Sequence, residues 1–149
     1  MIEAILTAVA SKKRILILTH NNPDPDAMGA AFALKNLLHT KFRRKKYTIA
    51  YMGMIGRLEN RELVKQCKID MVQSFGLNFK SFDYVVIVDS QPQAGNVYLP
   101  SGYQPDLVID HHLSKKALPK RKDFIADVRP EYGSTCTIIS EYYKKLGHI

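Results

Sequence analysis

Three short clusters of side chains able to hold metal ions punctuate the sequence. The first is His20-Asn-Asn-Pro-Asp24-Pro-Asp26, the second Asp89-Ser90, and the third Asp110-His111-His112; together they take three of the five histidines. Carboxylate and imidazole donors in combination suit manganese, magnesium, iron or zinc. Asp24 and Asp26, two residues apart in an extended segment, can offer oxygens to two adjacent ions, and Asp89 can bridge them. Carboxylates at this density repel one another unless cations neutralise them. Two cations about 3.5–4 Å apart would do so, while activating a water and clamping both ends of an in-line displacement at phosphorus.

Each piece also has a plainer explanation. His20 alone could be a structural histidine at a strand end. Asp26 could cap a helix beginning near Ala27, and Asp89 could be a strand-end turn residue. An Asp-His-His triplet also arises by chance. The conjunction of the three is hard to assign to packing.

The elements that must position these clusters are legible in the apolar pattern. Ile2 to Ala10 reads as a helix. Arg14 to Thr19 is a continuous apolar run, as expected for a buried parallel strand. The two prolines of the Asn21–Asp26 loop forbid helix throughout. From Ala27 a helical stripe of Met28, Phe32, Leu34, Leu37 and Leu38 begins. Lys46 to Met52 reads as a strand, and Glu59 to Lys68 as a helix with Leu63, Val64 and Cys67 on one face. Tyr84–Val88 and Leu107–Ile109 read as buried strands, and Phe124 to Val128 as a further one. Ser134 to Lys145 reads as a closing helix capped by Ser134 or Thr135. Strands alternating with helices imply an α/β fold, a mostly parallel sheet with helices on both faces. In such sheets ligands bind beyond the carboxyl ends of the strands, where all three clusters fall.

The 149 residues suit one domain with a full core, and 46% apolar with 24% charged residues is an ordinary globular balance. No apolar run approaches the ~20 residues that span a bilayer, so no membrane partner is expected. Lys12, Lys13 and Arg14 follow the first apolar stretch, opposite to a signal-peptide layout. Cys67 and Cys136, without a C-x-x-C, suggest buried reduced thiols and a cytoplasmic setting. The net charge of +8 favours anionic partners. It is concentrated in Lys41-Phe-Arg-Arg-Lys-Lys46 and in Lys115-Lys116 through Lys120-Arg121-Lys122. Both runs read either as solvated helix ends and loops or as contacts to a phosphate-rich substrate such as a short nucleic acid.

The clusters resemble the motifs of a known family. His20-x-x-Pro-Asp24-x-Asp26-Ala27-x-Gly29 is similar to the first motif of the DHH phosphoesterases, and Val88-Asp89 to the second. Asp110-His111-His112 is the tripeptide that gives the family its name. Gly133-Ser134-Thr135 resembles the hydroxyl-bearing segment that opens the next helix. The family includes RecJ-type exonucleases, nanoRNases that also dephosphorylate 3'-phosphoadenosine 5'-phosphate, cyclic-dinucleotide phosphodiesterases, and family II pyrophosphatases with related exopolyphosphatases. The resemblance implies a Rossmann-like DHH domain and two manganese ions, with magnesium as the alternative. His20, Asp24 and Asp89 would hold one ion, and Asp26, Asp89 and His111 the other. Asp89 and His112 would be catalytic, His112 facing the substrate phosphate. Asp110 would orient a histidine, and Arg129 and Ser134 would stand near substrate or behind the ligands.

The family pattern continues with another metal-binding aspartate, in a Gly-Ile-x-x-Asp-Thr-like strand after the closing helix, and with a glycine-rich second domain. Residues 1–149 are therefore expected to form a single catalytic lobe that stops before that motif and lacks the C-terminal domain. The motif form with Gly29 is closer to nanoRNase-like members than to pyrophosphatases. The expected substrate is a small nucleotide or short single-stranded oligonucleotide. A pyrophosphatase or exopolyphosphatase is the alternative within the class, and a non-catalytic metal- or nucleotide-binding module the alternative outside it. The oligomeric state is not legible.

Overall fold

The computed structural model describes residues 1–114 and 116–149; Lys115 of the second basic run lies outside the described residues. The chain runs α1 (Ile2–Ala10), β1 (Arg14–Leu18), α2 (Pro25–Lys41), β2 (Lys46–Tyr51), α3 (Leu58–Gln66), β3 (Met71–Gln73), β4 (Tyr84–Val88), β5 (Leu107–Asp110), β6 (Ile125–Val128) and α4 (Thr135–Lys145). Two 3-10 turns, Phe79–Ser81 and Pro92–Ala94, flank β4.

All strand pairs are parallel, in the order β3-β2-β1-β4-β5-β6. The order reverses between β1 and β4, and the crevice above such a switch point is where open α/β sheets bind ligands. The central strands are apolar at almost every position because both faces are covered: β4 and β5 are buried throughout, and β1 after Arg14.

The α/β expectation holds, but the cover of the two faces differs. Ile15, Ile17, Val86, Val88, Leu107 and Ile109 pack with α1, α2 and α4 in the larger apolar cluster, which Leu63 and Val64 of α3 also touch. Leu16, Leu18, Val85, Ile87 and Val108 point the other way, onto Phe79 with Leu77, Phe82, Tyr98, Tyr103 and Phe124. Right-handed crossovers place the β1–β2–β3 connections on one face and the β4–β5–β6 connections on the other. The latter are too short of helical pattern to form α-helices, so 3-10 turns and loop aromatics cover that face.

Three local details depart from the sequence reading, and one follows it. Helix α2 begins at Pro25, with Asp24 as its cap accepting from Ala27 N at 2.9 Å; proline fits a first helical position, where no N–H is needed. Ser134, one of the two expected caps, caps α4, accepting from Thr137 N at 3.1 Å. The short edge strand β3 had no apolar run to announce it. Cys67, expected to be buried, is exposed just past α3, while Cys136 is partly buried; both thiols are free. Among the described residues no helix is long and apolar enough to cross a membrane.

Candidate metal centre

β1, β4 and β5 deliver His20, Asp89 and Asp110-His111-His112 to the same edge of the sheet, and α2 and α4 both start there. Asp89 stands at the centre. It is only 2% exposed, and its backbone is left-handed at φ 59°. A non-glycine residue held there carries strain, which is typical of functional positions. The turn ends β4 and sets the carboxylate between two imidazoles. Oδ2 lies 3.6 Å from His20 Nε2, and Oδ1 lies 3.5 Å from His111 Nε2. Thr135 Oγ1 donates to Oδ1 at 2.8 Å.

Both histidines are fixed from behind. His20 Nδ1 lies 2.9 Å from Asn21 O and His111 Nδ1 3.1 Å from Tyr132 O. A carbonyl only accepts, so each Nδ1 carries a proton and Nε2 is the nitrogen aimed at the centre, the one whose lone pair a metal would take in place of a proton. Asp24 Oδ1 is 3.7 Å from His20 Nε2, and Asp26 Oδ2 is 3.7 Å from His111 Nε2. Asp26 does not cap its own helix. Its two oxygens accept from Thr135 N at 2.7 Å and Cys136 N at 2.8 Å, so it caps α4 from 109 residues away in sequence.

The ligand atoms of His20, Asp24 and Asp89 lie within 4.8 Å of one another, and so do those of Asp89, His111 and His112. The first trio is the set expected for one ion. The second shares Asp89 and His111 with the expected set but has His112 where Asp26 was expected. Asp110, fully buried, accepts from His112 Nδ1 at 2.8 Å. That bond puts the proton on Nδ1 and withholds this nitrogen from a metal. Asp26, facing His111 Nε2, is the better third donor on chemical grounds.

The donor set fits a divalent cation. Neighbouring ligand atoms around a tetrahedral ion with bonds of about 2.1 Å lie roughly 3.4 Å apart, close to the separations here. Among the described residues no lysine or arginine lies within ion-pairing distance of Asp24, Asp26, Asp89 or Asp110. The Asp89 carboxylate facing His20 pushes that imidazole up to about 9, against the effect of burial. Burial and the neighbouring aspartates raise Asp89 itself. Asp26 is held low: burial opposes ionisation, but the bonds from Cys136 and Thr135 outweigh it. Burial, then Asp26, pushes the Cys136 thiol up to about 12.

A cavity of about 600 Å³ opens beside the centre, walled by His20, Asp89, Asp110 and His112 with Ser90, Gln91, Gln93, Asn96 and Lys116. Gln91, which the sequence did not single out, is buried and donates Nε2 to Asp110 Oδ2 at 2.7 Å and to the His112 carbonyl at 2.9 Å. Thr135 was seen as a possible cap and as part of the Gly-Ser-Thr segment, not as a partner of Asp89. Arg129 reaches the same sheet edge, its backbone N–H donating to Asp110 O at 2.9 Å, but its guanidinium is engaged elsewhere. It grips both Asp127 oxygens at 2.7 Å and Glu141 at 2.6 Å, tying β6 to α4. Ser134 serves as the α4 cap. Of the second basic run, Lys116 lines this cavity, whereas Arg121 and Lys122 line another at the opposite edge of the sheet.

The family model described as the DHH family, N-terminal domain, matches residues 14–148. An uncharacterized protein of Methanocaldococcus jannaschii is 33% identical over 141 residues, covering 94% of this chain and 28% of that protein. The solved structure of an exopolyphosphatase-related protein from Bacteroides fragilis superposes with a TM-score of 0.66 at 16% identity, covering 99% of this chain and 44% of that one. The chain thus spans less than half the length of either protein.

Proposed function

The chain belongs to the DHH family through its N-terminal domain, and from that premise we propose that it is the metal-binding lobe of a phosphoesterase acting on small nucleotides or very short oligonucleotides. The observation that carries this reading is the buried Asp89 carboxylate, one oxygen toward His20 and the other toward His111. His20, Asp24 and Asp89 would hold one divalent ion, manganese or magnesium, and Asp26, Asp89 and His111 the other. Such a pair supplies countercharge, Lewis acidity and a nucleophile at neutral pH.

The chain's own residues do the rest. His112 is more than half exposed toward the cavity and fixed by Asp110 at Nδ1, leaving Nε2 to face a phosphoryl oxygen. Burial opposes its protonation, but Asp110 outweighs that and raises it, so it can carry positive charge where negative charge develops. Thr135 holds Asp89, and the carbonyls of Asn21 and Tyr132 hold the two imidazoles. Water adds to phosphorus, the P–O bond to the leaving alcohol breaks, and the products are a phosphate group and an alcohol.

The cavity wall favours a nucleotide over a polyphosphate chain. Outside His20, Asp89, Asp110 and His112, its described lining is mostly serine and amide groups with one lysine, Lys116, whose Nζ donates to Gln93 O at 2.9 Å. Amides suit a sugar or base, whereas a polyphosphate calls for several cations. The exopolyphosphatase-related structure keeps the second reading open, a pyrophosphatase or exopolyphosphatase. With manganese, hydrolysis of 5'-phosphorylated diribonucleotide or 3'-phosphoadenosine 5'-phosphate above pyrophosphate and polyphosphate is the expected result. Pyrophosphate or polyphosphate as the preferred substrate would establish the second reading instead.

A further inference from the structure

The topology gathers a strip of cations on the edge of the sheet opposite the metal centre. Arg14 and Lys46 open β1 and β2 and are register partners. Lys46 N donates to Lys13 O at 2.9 Å, which sets Lys13 beside them. Lys45 Nζ donates to Ala10 O and Lys12 O, pinning the Arg43–Lys45 turn against the Lys12–Lys13 segment. Lys13, Arg14, Arg43, Arg44 and Lys46 are exposed. Among the described residues, none of the five has a carboxylate within 4.0 Å of its side-chain nitrogens. Asp83, beside the strip, spends its oxygens on the backbone N–H groups of Lys13 at 2.8 Å and Arg14 at 2.7 Å. β1 separates the strip from His20 by roughly 17 Å, so these cations cannot touch a small substrate at Asp89.

We propose that this edge binds the phosphodiester backbone of a nucleic acid, as a docking surface separate from the metal centre. Five cations without a carboxylate partner, along two adjacent strand starts and the turn before the second, fit a chain of regularly spaced phosphates, although Arg14 also donates to Ser81 Oγ at 3.3 Å, and the contacts would be indifferent to sequence. An anionic membrane is the poorer fit. The exposed large apolar residues, among them Met54, Leu58, Phe75 and Leu113, all lie off this strip, and surface-bound segments need such side chains to insert. The inference is independent of hydrolysis, since it requires neither metal nor turnover.

Fluorescence anisotropy with labelled 20-nucleotide single-stranded and duplex oligomers, in chelator and across a salt series, tests it. Five phosphate contacts on a single strand predict a log–log salt slope of about −3.5, hence roughly a hundredfold loss of affinity between 50 and 200 mM salt. The Arg43→Ala/Arg44→Ala variant, altered only in an exposed turn, should lower the slope to about −2. Arg61→Ala/Lys65→Ala, which removes the same charge from α3, should leave it unchanged. Circular dichroism of both variants establishes that they fold. No salt-dependent binding by the parent, equal losses in the two variants, or binding to phosphatidylserine vesicles without binding to oligomers would each overturn the proposal.

Discussion

Asp89 is the residue on which the site turns. Its carboxylate is buried, lies between two imidazoles and is held by one hydroxyl. Thr135→Val keeps the volume and removes that hydroxyl. Manganese affinity measured by titration calorimetry is expected to fall about 10- to 100-fold, the usual cost of losing a group that orients a ligand, while Thr135→Ser should keep most of it. Equal affinity in all three proteins would show that Thr135 does not hold Asp89 for the metal. His20, Asp24, Asp26, Asp89 and Asp110-His111-His112 were legible in the sequence because residues of rare chemistry ended apolar strands. The hold on them was not. Thr135 and Gln91 act through bonds to residues 46 and 19 positions away, and no local pattern announces such a bond. The bonds of Asp26 to the start of α4 were hidden for the same reason, since they join residues 109 and 110 positions apart.

Among the elements, the contact of α2 with α4 decides whether the centre holds its shape. A Cβ on Gly29 would sit 3.0 Å from Cys136 Sγ, at the turn whose N–H groups Asp26 accepts. Alanine is the better helix former by about 1 kcal/mol, yet Gly29→Ala is expected to destabilise by about 1–3 kcal/mol through overpacking. Cys136→Ala in the same chain should recover most of that loss in urea unfolding; no recovery would mean that the strain lies elsewhere.

The β6–α4 clamp makes a second prediction at this scale. Burial opposes ionisation of Asp127, but Arg129 and Tyr142 outweigh it and hold the carboxyl below its ordinary range. A depressed carboxylate contributes stability that is complete above its unfolded value of about 3.9 and is lost as pH falls through the folded value. The parent should therefore lose stability as pH falls below about 4 and on through the folded value. Asp127→Asn should be about 1.5–3 kcal/mol weaker at pH 7, because Arg129 loses one of its two carboxylate partners and keeps only Glu141, and should fall less over the same acid range. Parallel curves would refute the clamp. The strands were readable because continuous β-branched runs mark burial on both faces. β3 was not, since an edge strand of three residues with Val72 and Gln73 exposed carries no apolar signal.

At the scale of the whole molecule, the fold sets function against stability by bringing acidic side chains together at one edge of the sheet. In chelator, Asp89→Asn relieves the repulsion and is expected to raise Tm above the parent's. With manganese the order should reverse, because an ion bound only by the native state stabilises it, by about 2.7 kcal/mol at a concentration a hundredfold above Kd. A parent Tm that manganese leaves unmoved would contradict this. The most direct test of the central claim is the number of manganese ions per chain, by native mass spectrometry, for the parent and for Asp89→Ala. A carboxylate bridging two positions predicts two ions in the parent and a clear loss in the variant. No bound ion, or one ion retained after Asp89 is removed, would contradict it.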